Sequence, residues 1–358
     1  PVPYTRLHGN IRVTKERPTM GGSIALVQLT ELKHQRMKQC AEFRQRSRWQ
    51  PPYALTTALE LQAIEIPRLP KGRAMLNGIT VVVPSANERR NLVGINEVTW
   101  SFPVDVVMVE QCLCVSPACT WAMFAGWLNL EELIVLAESM MRRDGRLRRT
   151  TIEELTAYLD SAREFTEAVF EETGRRPNMF RGYANCRRAL RVIQEGTDSS
   201  METRTRLVPL KYGIDAPCVN YKIGVKRLNR AVYLDLAYPE YKICIEFDGG
   251  HHAGQWLEDA RRRQAIEDEK WRYIQVTKLD LGDEWSEEAL ARRIADKIQE
   301  VTGIPVPVTA RKTIQQVCDA RAMRRKPLYE RIGFEPLLPR VPNANADFPD
   351  ADDLDGIA

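Results

Sequence analysis

Between Ala231 and Asp248 the chain spells a β-hairpin that carries acids where a buried strand should be apolar. Val232, Leu234 and Leu236 alternate with Ala231, Tyr233, Asp235 and Ala237, which is the two-residue period of a strand. Tyr238-Pro239-Glu240-Tyr241 reads as a turn, with proline preset for its second position. After it, Tyr241, Ile243, Ile245 and Phe247 point one way, and Lys242, Cys244, Glu246 and Asp248 the other. A tight turn sets Asp235 opposite Cys244 and diagonal to Glu246, roughly 7–8 Å away. Unpaired carboxylates are costly to bury, so Asp235, Glu246 and Asp248 together need a compensating cation, and a divalent metal is the simplest. Two carboxylates at that spacing suit Mg²⁺ (or Mn²⁺), with waters completing its shell.

Gly249-Gly250 ends the second strand and turns the chain back toward the acids. Two of the four histidines of the protein, His251 and His252, follow at once. The stretch from Gln255 to Lys270 is helix-compatible and places Asp259 in its first turns. Plainer roles stand beside these. Ser199 with Glu202 spells a capping box. Asp259 with Arg262 or Arg263 has the spacing of a solvated helical ion pair.

The ordered motifs resemble the very-short-patch-repair-endonuclease-like domain, a branch of the PD-(D/E)XK nuclease superfamily common in actinobacteria. The residues that carry the resemblance are Ser199-Ser200-Met201-Glu202, Asp235, Pro239-Glu240-Tyr241, Ile245-Glu246-Phe247-Asp248-Gly249 with His251 or His252, Asp259 with Arg262 and Arg263, and Lys270-Trp271-Arg272. Two departures stand out. Lys270 occupies a position where the family has glycine, and Asp248 stands where a PD-(D/E)XK enzyme has its catalytic lysine. The resemblance implies Asp235 as central metal ligand, Glu246 or Asp248 as the second, and Glu202 binding metal or water. It implies His251 or His252 as general base, Asp259 holding that histidine, and Arg262 or Arg263 on phosphate. These residue types suit phosphodiester hydrolysis, in which a metal activates water and stabilises developing charge and a histidine moves a proton.

At 358 residues the chain has length for two domains. An apolar content of 44% and a charged content of 28% are those of ordinary soluble proteins. No stretch approaches the roughly 20 apolar residues of a membrane span. No secretory leader is visible, and the start at Pro1 leaves room for residues upstream. The eight cysteines are scattered. Cys112 and Cys114 lack the second pair that a zinc knuckle needs, so reduced core thiols of a cytoplasmic protein are expected.

The net charge is only +4, but arginines cluster in three runs. These are Arg142, Arg143, Arg146, Arg148 and Arg149; Arg175, Arg176, Arg181, Arg187, Arg188 and Arg191; and Arg321, Arg324, Arg325 and Lys326. Together with the acidic site they favour a polyanion partner, DNA above all. The candidate contacts are Arg187, Arg188, Arg204, Arg206, Arg262 and Arg263.

Upstream, helices are expected at Leu29–Trp49, Pro52–Ile64, Leu130–Arg143, from a Thr151 cap to Gly174, and at Arg181–Glu195. Strands are expected at Asn77–Pro84 and Thr99–Val109. Pro52 to Pro67 and Val115-Ser116-Pro117-Ala118-Cys119-Thr120 resemble the AbiEi-type antitoxin region that precedes such endonuclease-like domains, with Cys119 in place of an arginine. That resemblance admits a protein partner from a defence or toxin–antitoxin system. The expected architecture is α/β: a mixed α+β module over 1–195, a PD-(D/E)XK-like mixed sheet flanked by helices over 199–305, a basic extension over 306–340, and a disordered acidic tail over 341–358.

Overall fold

A computed structural model describes residues 24–70, 78–249, 256–319, 321 and 325–341. His251, His252 and the acidic segment from 342 onward lie outside the described residues. The chain forms two compact units, Pro1–Ile193 and Gln194–Ala358, and its structure is mixed α/β. No helix among the described residues is long and apolar enough to cross a membrane.

The first unit opens with α1 (Ile24–Arg46) and α2 (Leu55–Leu61). A parallel pair follows, β1 (Ile79–Val83) with β2 (Ile95–Thr99), and then an antiparallel hairpin, β3 (Val106–Val109) with β4 (Cys112–Val115). Tyr53 stitches the two pairs together. Its N–H donates to the Leu113 carbonyl at 2.8 Å and its carbonyl accepts from Val115 N–H at 2.8 Å, while Val82 N–H donates to Pro52 at 3.0 Å. The strand expected over Thr99–Val109 is broken in two, and Pro103, which has no N–H to give a ladder, sits in the break.

Helices α3 (Pro117–Phe124), α4 (Leu130–Met140), α5 (Ile152–Thr173) and α6 (Tyr183–Ala189) complete the unit. Thr151 caps α5, accepting from Glu154 N–H at 3.2 Å. The helix expected over Arg181–Glu195 shrinks to α6 because Gly182 precedes it at φ +93°, where a Cβ would stand 2.1 Å from the Ala125 carbonyl oxygen.

The second unit starts at α7 (Ser200–Lys211) and builds a four-stranded sheet in the order β5 (Cys218–Val225), β6 (Arg230–Tyr238), β7 (Ile243–Phe247), β8 (Arg272–Val276). The first three strands are antiparallel. The chain then crosses through α8 (Trp256–Asp268), so that β8 runs parallel to β7. Both faces are covered. Leu236, Tyr238, Ile243 and Ile245 pack with Leu290, Ile294 and Ile298 of α9 (Glu284–Thr302). Ala237 and Cys244 pack with Ala265 and Ile266 of α8 and with Trp271.

The segment read as a basic extension is part of this core. Leu328, on the short helix α11 (Leu328–Arg331) after α10 (Ile314–Val317), is buried in the first cluster with Phe334 and Ile332 against it. Leu337 N–H donates to the Glu240 carbonyl at 3.0 Å, and the Tyr221 hydroxyl donates to the Pro339 carbonyl at 2.9 Å. Charge count hid a handful of apolar anchors there. Leu328→Ala is accordingly expected to cost about 2–5 kcal/mol by leaving a cavity, a loss that urea unfolding would register. A surface extension would register almost nothing.

Candidate functional site

The acids of the hairpin meet where its ladder ends. The turn is longer than a tight one. Pro239–Tyr241 makes a single 3₁₀ turn, and Lys242 follows at φ +51°. The extra length shifts the register, pairing Leu236 with Ile245 and Ala237 with Cys244. The expected placement of Asp235 opposite Cys244 is therefore corrected: Asp235 lies beside Glu246, not diagonal to it. There the side chains take over the ladder. Asp235 N–H donates to Glu246 Oε1 at 3.1 Å, and Phe247 N–H donates to Asp235 Oδ2 at 3.0 Å. Each carboxylate is thus held by the backbone of the opposite strand.

Glu202 reaches the same end of the sheet from the first turn of α7. Its carboxylate accepts from Asp198 N–H at 2.8 Å and from the Ser199 hydroxyl at 2.9 Å, while its own N–H donates to Ser199 Oγ at 3.1 Å. The capping role is real, and it aims the group rather than excluding another duty. Glu246 and Glu202 are both buried, and Asp235 is half-buried. Desolvation, then the neighbouring charges of Glu246 and Glu202, push the Asp235 carboxyl well above its usual range, against the opposing pull of Arg262 and the Phe247 N–H.

Arg262 supplies the counter-charge that is present. From α8 it donates to Glu246 Oε2 and to the Tyr233 carbonyl, with its guanidinium two-thirds buried. It was expected on phosphate and instead neutralises a strand acid. Asp248 stands at the rim, its Oδ2 accepting from Gln275 Nε2 at 2.8 Å and its N–H donating to the Val276 carbonyl at 2.7 Å. Asp259 is exposed on α8, with no ion pair among the described residues. Arg263 pairs with Glu267 at 3.1 Å, not with Asp259, and lies 4.6 Å over the ring of Tyr273.

Arg204 and Arg206 correct an expectation. Both are buried in α7, so neither presents its guanidinium to a nucleic-acid backbone. Arg187 and Arg188 are exposed on α6 of the other unit, Arg187 3.7 Å from Asp160 and Arg188 bonded to Asn185 at 3.1 Å. In the first arginine run, Arg142 is buried against Glu65 at 2.9 Å and Arg149 donates to the Gln62 carbonyl at 2.6 Å, so that run is partly internal scaffolding.

Sequence reasoning missed Gln275 and Tyr273. The parallel register sets Gln275 against Glu246 and Tyr273 against Cys244, which no spacing within the hairpin reveals.

The donor set is all oxygen, as a hard cation prefers. As arranged, however, no group of three or more His, Cys, Asp or Glu side chains among the described residues is disposed to hold a metal. The acids fit one only with the Arg262 guanidinium moved off Glu246. Comparison with protein-family models, with curated proteins and with solved structures finds no match to this chain.

Proposed function

We propose that the second unit is a PD-(D/E)XK-like, metal-dependent phosphodiesterase acting on DNA, an endonuclease or nickase of a defence, mobile-element or repair system. What supports this most is the convergence of Asp235, Glu246 and Glu202 at one sheet end, crowded enough to hold the Asp235 carboxyl protonated far above its usual range. A protein that needed no cation there would gain stability by losing an acid. Asp235 and Glu246 would hold a Mg²⁺ or Mn²⁺ ion, with Glu202 binding it directly or through water. Such an ion activates water and stabilises charge on phosphate. Arg262, displaced from Glu246, would then face the polyanion.

The test is incubation of supercoiled plasmid and labelled single strands with the protein in Mg²⁺, Mn²⁺ or chelator. Nicking or cutting in metal alone is the expected result. Absence of metal-dependent cleavage on every DNA form would sink the proposal.

A second reading is a non-catalytic DNA-binding regulator of the antitoxin kind on a retired nuclease fold. The Arg262–Glu246 ion pair favours it, as does Asp248 in place of a lysine. It predicts metal-independent binding to a promoter-like duplex that weakens steeply with salt and is indifferent to change at Asp235.

A further inference from the structure

The hairpin of the first unit carries a thiol arrangement that the proposed phosphodiesterase does not use. Cys112 opens β4 straight after the Glu110-Gln111 turn, where Glu110 adopts φ +52°, and Cys114 follows two residues later. Cys40 arrives from α1, distant in sequence, and all three are buried in one core with Tyr53, Phe43 and Leu61. Two of the sulfurs face each other: the Cys40 thiol hydrogen-bonds to the Cys112 sulfur. Cys114 is turned elsewhere, its Sγ 3.6 Å from the Cys112 carbonyl.

Two features separate this pair from inert core thiols. The first is charge. Arg44, one helical turn beyond Cys40, is anchored on the Gln111 backbone carbonyl and 3.3 Å from Gln111 Oε1, which sets its guanidinium beside Cys112. Glu110 opposes that influence, but Lys33 Nζ lies 3.5 Å from its carboxylate. The hydrogen bond from Cys40 outweighs burial, and with Arg44 it lowers the Cys112 pKa while the Cys40 pKa rises. The second feature is access. A depression of about 460 Å³ is lined by Ala41, Arg44, Gln45, Gln50 and Gln111, the chain neighbours of both cysteines among them.

We infer that Cys40 and Cys112 are a peroxide-reactive dithiol that closes to a disulfide tying α1 to the β3–β4 hairpin. The Cys112 thiolate attacks hydrogen peroxide, the O–O bond breaks, and a sulfenic acid forms with release of hydroxide. Cys40 sulfur then attacks the sulfenic sulfur, the S–S bond forms, and a second hydroxide leaves. The two thiol protons neutralise both hydroxides, so two thiols lose two electrons and one peroxide becomes two waters. A cellular thiol would reverse the bond by exchange.

The test treats the full-length chain with hydrogen peroxide, blocks remaining thiols and digests without reductant. A peptide holding Cys40 linked to one holding Cys112 is expected, with the intact mass lower by two hydrogens and restored by thiol reductant. Cys112 should react at least about tenfold faster than Cys186, whose thiol burial pushes up. In Cys40→Ser the sulfenic acid should persist on Cys112 and be trapped by dimedone. A Cys112–Cys114 link within one peptide, or a Cys112 no faster than Cys186, would overturn the inference. Both outcomes are read on the unaltered chain, so misfolding of the variant leaves the test intact.

Discussion

Asp235→Asn is expected to abolish metal-dependent cleavage and, in the same protein, to raise stability in chelator. The first effect follows from its role. A lost metal ligand removes about 4 kcal/mol of charge stabilisation, about a thousandfold in rate. The second follows from crowding. Asparagine keeps the shape and retains an oxygen for the Phe247 N–H, but carries no charge against Glu246 and Glu202. Unfolded, Asp235 titrates near 3.8, and folded, well above it. Its contribution is therefore fully present below pH 3.8 and is lost as pH rises toward the folded value. Over that window wild type should fall behind the variant by up to about 1.4 kcal/mol per pH unit. Melting both proteins in chelator from pH 4 to pH 8 checks this. A gap that does not widen with pH would mean that the acids do not crowd one another, and cleavage surviving in the variant would end the nuclease reading.

The hairpin was legible because alternation is a local signal: the strands, the turn and the face carrying Glu246 all follow from side-chain period. Its register was not, because one turn of 3₁₀ helix and a left-handed Lys242 add length that Pro239-Glu240 does not announce. That shift moved Asp235 from a diagonal to a direct partner of Glu246. The arginines failed for a different reason. Counting them treats each as surface charge, but Arg204 and Arg206 sit on a helix buried almost all round, and Arg262 spends its charge on a strand acid. The apolar anchors of 327–341 were too sparse to read against the basic residues around them, and only contact with the sheet reveals them. Cys40 and Cys112 belong to elements far apart in the chain, so no spacing rule joins them.

Arg262→Met decides between a working metal site and a retired one. Methionine keeps most of the stem that packs along the sheet and removes the guanidinium. Glu246, buried with its Oε2 on Arg262, then loses its only ion-pair partner among the described residues. Breaking such a pair costs about 3 kcal/mol, at the lower end of the usual range because the arginine is one-third exposed. In chelator the variant should therefore melt well below wild type. The two readings part when Mg²⁺ is added. If the acids are a metal site, the ion enters a place that Arg262 no longer contests, affinity rises above that of wild type, and Mg²⁺ at about a hundredfold over its dissociation constant returns about 2.7 kcal/mol. Potassium at equal ionic strength should return almost nothing, which separates coordination from screening. If instead the fold has exchanged its metal for arginine, the loss persists in Mg²⁺, because three acids aimed by a helix cap and two backbone amides no longer converge on one ion. Arg262 then replaces the metal's charge without its chemistry, and the polyanion reading must rest on surface arginines such as Arg187 and Arg188 alone.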